Sequence, residues 1–158
     1  MDKLLQMVKD LESYIPKADL HANAVSKGTV GWHIDHALLT INVVLEGLKN
    51  SDPTRYEYKF NKWRTIIFTV GFFPRGKVQA PDSVVPKSDY TMQSLAASTV
   101  ATRELLKNIL PLDKNNYSRH PVFGKLNTKH TFTMLRMHTK HHIKIIRDIV
   151  GQVRIMAH

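Results

Sequence analysis

Two histidines, His138 and His142, lie four residues apart near the end of the chain. At about 100° per residue, they share one helical face with five apolar residues, so they occupy places where a core would favour leucine. Those apolar residues are Leu135, Ile145, Ile146, Ile149 and Val153. Histidines at i and i+4 can direct both imidazoles at one metal ion, whereas core histidines must satisfy their ring nitrogens with hydrogen bonds. The spacing therefore predicts a metal site, with a hydrogen-bonded core pair as the alternative.

A third histidine, His36, lies in a segment from Thr29 to Lys49 that is helical in pattern and apolar almost all round. Such a helix packs between neighbouring helices. His36 lies outside the polar wedge and shares a row with small residues, which would let another helix approach closely. Three neutral imidazoles would leave at least one coordination position open for water or substrate, as in catalytic metal sites.

Three further histidines are candidates for supporting such a site. His141 adjoins the pair but points roughly a quarter turn away from it. His33 lies one turn before His36, and His120 lies on a loop that could close over the site. For each of them, an ordinary partly exposed histidine is an equally open interpretation. The chain has no cysteine, so metal ligands must come from histidine, carboxylate or water, and any thiol must come from outside.

Helical periodicity recurs along the whole chain and predicts the elements that position these histidines. Helices are expected over residues 2–15, 29–49, 54–69, 90–110 and 128–153. Pro16 and Pro111 end the first and fourth of these, Asp52 with Pro53 begins the third, and Ser88 or Asp89 caps the fourth.

Two longer loops are expected, over residues 71–87 and 113–127, and the first is a candidate lid because long loops in compact domains are usually functional. No alternating strand pattern competes with the helices. The sequence therefore predicts an all-α bundle with a metal site at the end of its core.

Length and composition favour a single soluble domain over residues 1–158. The chain is 42% hydrophobic, yet has no apolar run of the eighteen or so residues that a membrane span needs. Its start passes directly into an amphipathic pattern without the basic and apolar regions of a signal peptide. We therefore expect a cytoplasmic protein with no membrane partner.

The formal charge of +10 is unevenly distributed, because the excess of lysine and arginine lies from Arg55 onward. One basic stretch is interleaved with aromatic residues and contains Lys59, Lys62, Arg64, Arg75 and Lys77; another follows the outer face of the last helix at Arg136, Lys140, Lys144, Arg147 and Arg154. Such charge is usually a solvated surface. The alternative is a non-enzymatic basic helical module that binds nucleic acid or another polyanion, although we do not expect nucleic acid as the partner.

Four motifs, in this order and spacing, resemble the DinB-like superfamily and, within it, a branch of uncharacterised domains. The resemblance extends from about residue 25 to residue 150. The motifs are Thr29-Val30-Gly31-Trp32-His33-Ile34-Asp35-His36, Phe73-Pro74-Arg75-Gly76-Lys77 with Pro81, His120-Pro121-Val122-Phe123-Gly124-Lys125-Leu126, and His138-Thr139-Lys140-His141-His142.

This resemblance implies an up-and-down four-helix bundle with one long crossover loop, often dimeric, and a divalent metal ion held by His36, His138 and His142. Imidazole ligands suit Zn²⁺ or Ni²⁺. The family includes metal-dependent transferases that use low-molecular-weight thiols, and hydrolases. We therefore expect a metal-dependent enzyme with a small-molecule substrate, for which such a thiol is one candidate, and a homodimer. In a common family pattern, a Gly-Gln or Arg-Gln dipeptide soon follows the histidine pair, whereas this chain has Ile143-Lys144-Ile145. The resemblance therefore does not assign a particular substrate to this chain.

Overall fold

The computed structural model describes residues 1–73, 82–86 and 90–156, and within them the chain is mostly helical. Five α-helices and one two-stranded antiparallel sheet follow one another along these residues. In chain order they are α1 (Asp2–Glu12), α2 (Val30–Lys49), α3 (Lys62–Val70), α4 (Met92–Asn108), β1 (Tyr117–His120), β2 (Gly124–Asn127) and α5 (Thr128–Met156). None of the helices in this part of the chain combines the length and hydropathy that a membrane crossing demands.

Helix α2 lies at the centre of the fold, as its nearly uniform apolar pattern predicts. The side chain of Thr29 accepts a hydrogen bond from the Trp32 amide and so caps the first turn. The helix buries residues on most of its circumference, including Ile34, Leu38 and Ile41. It contacts α5, α4, α1 and β1, so the prediction that this helix packs between neighbouring helices is confirmed, and the last helix is one of them.

Helix α1 is shorter than predicted, because a turn at Ser13 and Tyr14 is followed by a 3-10 helix over Ile15–Lys17 that includes Pro16. Its inner face buries Leu4, Val8 and Leu11 completely and packs against α4 and α5. Because these side chains meet those of α2 and α5, one hydrophobic core joins the four longer helices.

The third helix was predicted over 54–69, and its first part is wrong. Asp52 and Pro53 begin only a 3-10 turn, Pro53–Arg55, and residues 56–61 have no helical structure. The true N-cap is Asn61, whose side chain accepts a hydrogen bond from the Arg64 amide. Gly71 ends the helix with a φ of 78°, a left-handed conformation that glycine adopts without a steric penalty.

The loop predicted over 113–127 contains a β-hairpin, so the expectation of a purely helical chain is corrected. Tyr117 pairs with Asn127, and His120 pairs with Gly124. Each strand has only four residues, too few for an alternating pattern to stand out in sequence. Asn127 then accepts a hydrogen bond from the His130 amide at 3.0 Å, so the hairpin leads directly into the first turn of α5.

Several sequence predictions fall outside the described residues. These are most of the predicted crossover loop, including Pro74, Arg75, Gly76, Lys77 and Pro81, and the predicted caps Ser88 and Asp89. Among the described residues, Thr91 caps α4, and its side chain and that of Ser94 bond reciprocally to each other's backbone amides.

Candidate metal centre

Three imidazole rings converge where α2 meets α5. The His36 ring centroid lies 5.1 Å from that of His138 and 4.7 Å from that of His142, and the latter two are 4.6 Å apart. One nitrogen from each ring lies within 4.8 Å of the others, close enough for all three to hold one metal ion. We call these residues the histidine cluster. The three histidines that the sequence and the family resemblance singled out as candidate ligands therefore lie together.

Helical spacing and an aromatic neighbour fix the orientation of the rings. His138 and His142 lie one turn apart on α5, so their side chains leave the same face of the helix. The Trp32 indole stacks on His36, with ring centroids 5.0 Å apart and planes inclined by 13°. Because Trp32 and His36 are also one turn apart on α2, local helix geometry holds the His36 ring towards α5.

The hydrogen bond of His36 determines which of its nitrogens can bind a metal. His36 Nδ1 lies 2.6 Å from the Val84 carbonyl oxygen. A carbonyl only accepts hydrogen bonds, so Nδ1 carries the proton and Nε2 retains its lone pair. A hydrogen bond of this kind orients a histidine ligand and increases its basicity in metal proteins.

A chain of hydrogen bonds connects His142 with His33 and Ser26. His142 Nδ1 lies 3.0 Å from His33 Nδ1, and His33 Nε2 lies 2.9 Å from Ser26 Oγ. Ser26 Oγ also accepts a hydrogen bond from the Gly28 amide at 3.1 Å. If His33 donates to Ser26 through Nε2, then its Nδ1 accepts from His142, which leaves His142 Nε2 as a lone pair for a metal ion.

His138 has a ring nitrogen without a hydrogen-bond partner, to which a metal ion could bind. Its Nδ1 is buried and has no hydrogen-bond partner within the described ranges 1–73, 82–86 and 90–156. An unsatisfied buried polar atom carries a desolvation cost, and a metal ion bound through Nδ1 would offset it. The donor set, three imidazoles without a thiolate or carboxylate, fits a borderline divalent cation.

Burial keeps the cluster in its neutral, metal-binding form. It lowers the pKa of His138 to about 3, with further lowering by repulsion from His36, His141 and His120. The pKa of His142 lies well below its ordinary value for the same main reason. Burial also lowers the pKa of His36, although the hydrogen bond to Val84 opposes the shift. At neutral pH, all three rings therefore present lone pairs rather than positive charges.

Aromatic and imidazole rings border the cluster on the side of α3 and the hairpin. The Phe73 ring contacts those of His138 and His141 edge-on, at centroid distances of 6.2 and 6.4 Å. It also stacks on Phe123 at 6.0 Å, and Phe123 stacks on His120 at 4.3 Å. Phe73 therefore packs against the cluster on this side, with Phe123 and His120 stacked behind it.

A family model described as the DinB superfamily matches residues 2–146. The chain belongs to the DinB superfamily. No curated protein and no solved structure shows a significant match to it. The superfamily is metal-binding, and the three histidines that converge in this member supply a donor set suited to that role.

Sequence reasoning missed some of the residues that support the site in this DinB member. The role of His33 was left open, and its contact with His142 depends on a residue 109 positions away. Arg64 was predicted to belong to an exposed basic stretch, yet only 4% of its surface is exposed. Asp35, the neighbour of His36 in sequence, is not among the residues of the cluster, and burial raises its pKa. Correlated substitutions between positions of α2 and α5 in related sequences are the kind of signal that could have identified His33.

Proposed function

We propose that His36, His138 and His142 bind a divalent metal ion, Zn²⁺ or Ni²⁺, and that the protein is a metal-dependent enzyme of the DinB superfamily. The observation that carries this proposal is the convergence of three neutral imidazoles from two helices. A structural zinc site would normally have four protein ligands, whereas three leave a position for water or substrate.

A metal bound here would supply Lewis acidity to a coordinated water or to a thiol brought by the substrate. The residues of the chain do the positioning. Val84 fixes the ring of His36, and the rings of Phe73 and Phe123 limit access of water. Because the chain has no cysteine, a thiol-dependent transferase must take its thiol from a small-molecule substrate, while a hydrolase needs only water. These are the two reaction types that we propose.

The proposal extends to the assembly of the protein. The contacts of α1, α2, α4 and α5 support an up-and-down four-helix bundle that forms a single domain over residues 1–158, and we propose a cytoplasmic homodimer. Exposed apolar side chains of α3, such as Trp63 and Val70, are 61% and 53% exposed, and burial of such surface favours association. Sedimentation at micromolar concentration tests this, and a monomer alone would contradict it.

Elemental analysis of protein purified without a chelator or affinity tag tests the metal site. We expect about one divalent ion per chain, and none in the double variant His138→Gln/His142→Gln, provided that circular dichroism shows unchanged helicity. The double variant keeps the volume and polarity of the site but loses two imidazoles. Stoichiometric metal in the folded variant, or no uptake of Zn²⁺ or Ni²⁺ by the wild-type protein, would contradict the proposal.

One observation favours the second candidate function, a basic module that binds a polyanion. Lys140, Lys144, Arg147 and Arg154 are exposed on α5. Neutralisation of phosphates by such a face makes affinity fall steeply as salt rises. Binding of a nucleic acid with that salt dependence, by protein whose metal has been removed, would favour this function over the enzyme.

A further inference from the structure

A pocket separate from the histidine cluster opens beside the β-hairpin. It has a volume of about 450 Å³, and none of the three histidines of the cluster lines it. One wall comes from the segment before α3, including Lys59 and Asn61, and the other comes from the hairpin, including Arg119, His120 and Lys125. We call it the hairpin pocket.

Buried polar contacts hold its two walls together. The Asn61 side chain donates to the Val122 carbonyl at 2.9 Å. The guanidinium of Arg64, which is 4% exposed, donates to the carbonyls of Lys59 at 2.7 Å and Lys125 at 3.3 Å. A buried cation satisfied by backbone carbonyls across two segments fixes their separation. The hairpin pocket is therefore a built cavity rather than a gap between loose loops.

The lining of the hairpin pocket carries an excess of positive charge. Lys59, Arg119 and Lys125 contribute three cations, and Glu57 contributes one carboxylate. Glu57 pairs with Lys59 at 3.3 Å. Lys125 Nζ donates to the neutral Arg55 carbonyl at 2.7 Å, which orients the ammonium group without cancelling its charge. The excess favours a ligand that brings negative charge.

His120 connects the hairpin pocket with the histidine cluster. Its Nδ1 accepts hydrogen bonds from the amides of Val122 and Phe123 at 3.2 and 3.3 Å. The proton of the neutral ring is therefore on Nε2, which makes that atom a donor. Burial lowers the pKa of His120 to about 4, so the ring is neutral at pH 7. His120 also lies close enough to His138 to lower the pKa of that residue.

We propose that the hairpin pocket binds the anionic group, a carboxylate or a phosphate, of a small-molecule ligand. Arg119 and Lys125 pair with its charge, and His120 Nε2 donates a hydrogen bond to it. The residues of the hairpin pocket bind this group without any contribution from the histidine cluster. The reactive end of the same ligand then reaches the metal past His120. This part of the inference rests on the proposed function.

Titration of metal-free, full-length protein with inorganic phosphate, and separately with succinate, tests this inference by ¹H–¹⁵N NMR at low salt. We expect saturable shifts of the Asn61, His120 and Gly124 amides. The double variant Arg119→Gln/Lys125→Gln should weaken binding about tenfold, since it removes two charge-assisted hydrogen bonds. A response to phosphate alone indicates a phosphorylated ligand, and a response to succinate alone indicates a carboxylate; both support the inference.

The matched control is Lys140→Gln/Lys144→Gln, which removes two cations from the exposed face of α5 and should leave both affinities within about twofold. The single variant Arg119→Gln, at an exposed position, remains informative if the double variant fails to fold. Equal weakening by the pocket and control variants, or no saturable shift with either anion, would overturn the inference. Because the titration needs no metal, an anion site in a protein that binds no metal would contradict the proposed function only.

Discussion

The histidine cluster and the hairpin pocket, which His120 lines, differ in how their residues handle charge. In the cluster, burial lowers the pKa of His138 to about 3, which leaves neutral rings with lone pairs. In the hairpin pocket, the basic side chains of Lys59 and Arg119 are exposed. The cluster is thus suited to a cation and the hairpin pocket to an anion.

The comparison shows that burial makes the histidines of the cluster neutral and so able to bind a metal ion. His36 and His142 are 4% and 7% exposed; the Val84 carbonyl sets the tautomer of His36, and His33 Nδ1 lies 3.0 Å from His142 Nδ1. Desolvation penalises the charged imidazolium, so a buried histidine becomes a ligand rather than a cation. In the hairpin pocket, by contrast, Lys59 and Arg119 lie at exposed positions.

The largest expected effect is the loss of metal from the variant His142→Gln, which changes the cluster and not the hairpin pocket. Removal of one of three ligands should weaken Zn²⁺ binding roughly a hundredfold to a thousandfold, as measured by competition with a chelator. The exposed His21→Gln is the matched control and should retain full affinity. Phosphate binding in the hairpin pocket should not change. A His142→Gln protein with wild-type zinc affinity would remove the distinction between the two regions.

Acid should destabilise the metal-free protein through its buried histidines. The pKa of His120 is lowered from 6.5 to about 4, so below pH 6.5 the unfolded chain binds protons that the folded chain does not. Stability is therefore present above pH 6.5 and lost as the pH falls towards 4, by up to roughly 3 kcal/mol from His120. Urea unfolding at several pH values measures the slope.

The variant His120→Gln should make this slope shallower by the contribution of His120, since glutamine can accept the same backbone hydrogen bonds without titrating, while the other buried histidines still contribute. The control His21→Gln should not flatten it. Wild-type stability that stays constant between pH 7 and pH 4.5 would show that burial does not govern these rings.

A smaller effect is expected from His33→Ala, which leaves the three cluster rings in place but removes the partner of His142 Nδ1. Loss of such a supporting hydrogen bond costs 10- to 100-fold in metal affinity in other sites, and we expect about tenfold here. His33→Asn should restore part of it, because an amide oxygen can accept from Nδ1. A merely structural role would lower thermal stability in both variants without this difference in zinc affinity.

The smallest expected effect comes from Arg64→Lys, which changes the hairpin pocket and not the cluster. Lysine keeps the charge but cannot reach two carbonyls with a planar fork, so we expect a loss of about 1 kcal/mol in the free energy of unfolding. Phosphate affinity should fall, and zinc affinity should remain unchanged. A parallel fall in zinc affinity would show that the two regions are mechanically coupled.

The sequence by itself determined the helical character of the chain and its histidine pair. A period of 3.6 residues is visible over long segments such as 29–49 and 128–153, and i, i+4 spacing places His138 and His142 on one face wherever the helix packs. These features depend on neighbours along the chain. His36 was a third candidate from its place on the apolar second helix, and the resemblance to the DinB superfamily, which the family match confirms, implied that it is a ligand together with His138 and His142.

Only the tertiary structure decided how distant segments meet. His33 contacts His142, 109 positions away, and the buried Arg64 contacts the Phe123 carbonyl, 59 positions away. The hairpin pocket likewise joins the segment before α3 to the hairpin. Local periodicity carries no information about such pairs. Hydrogen-bond satisfaction and burial, which fix tautomers, pKa values and available charge, exist only after the helices have packed.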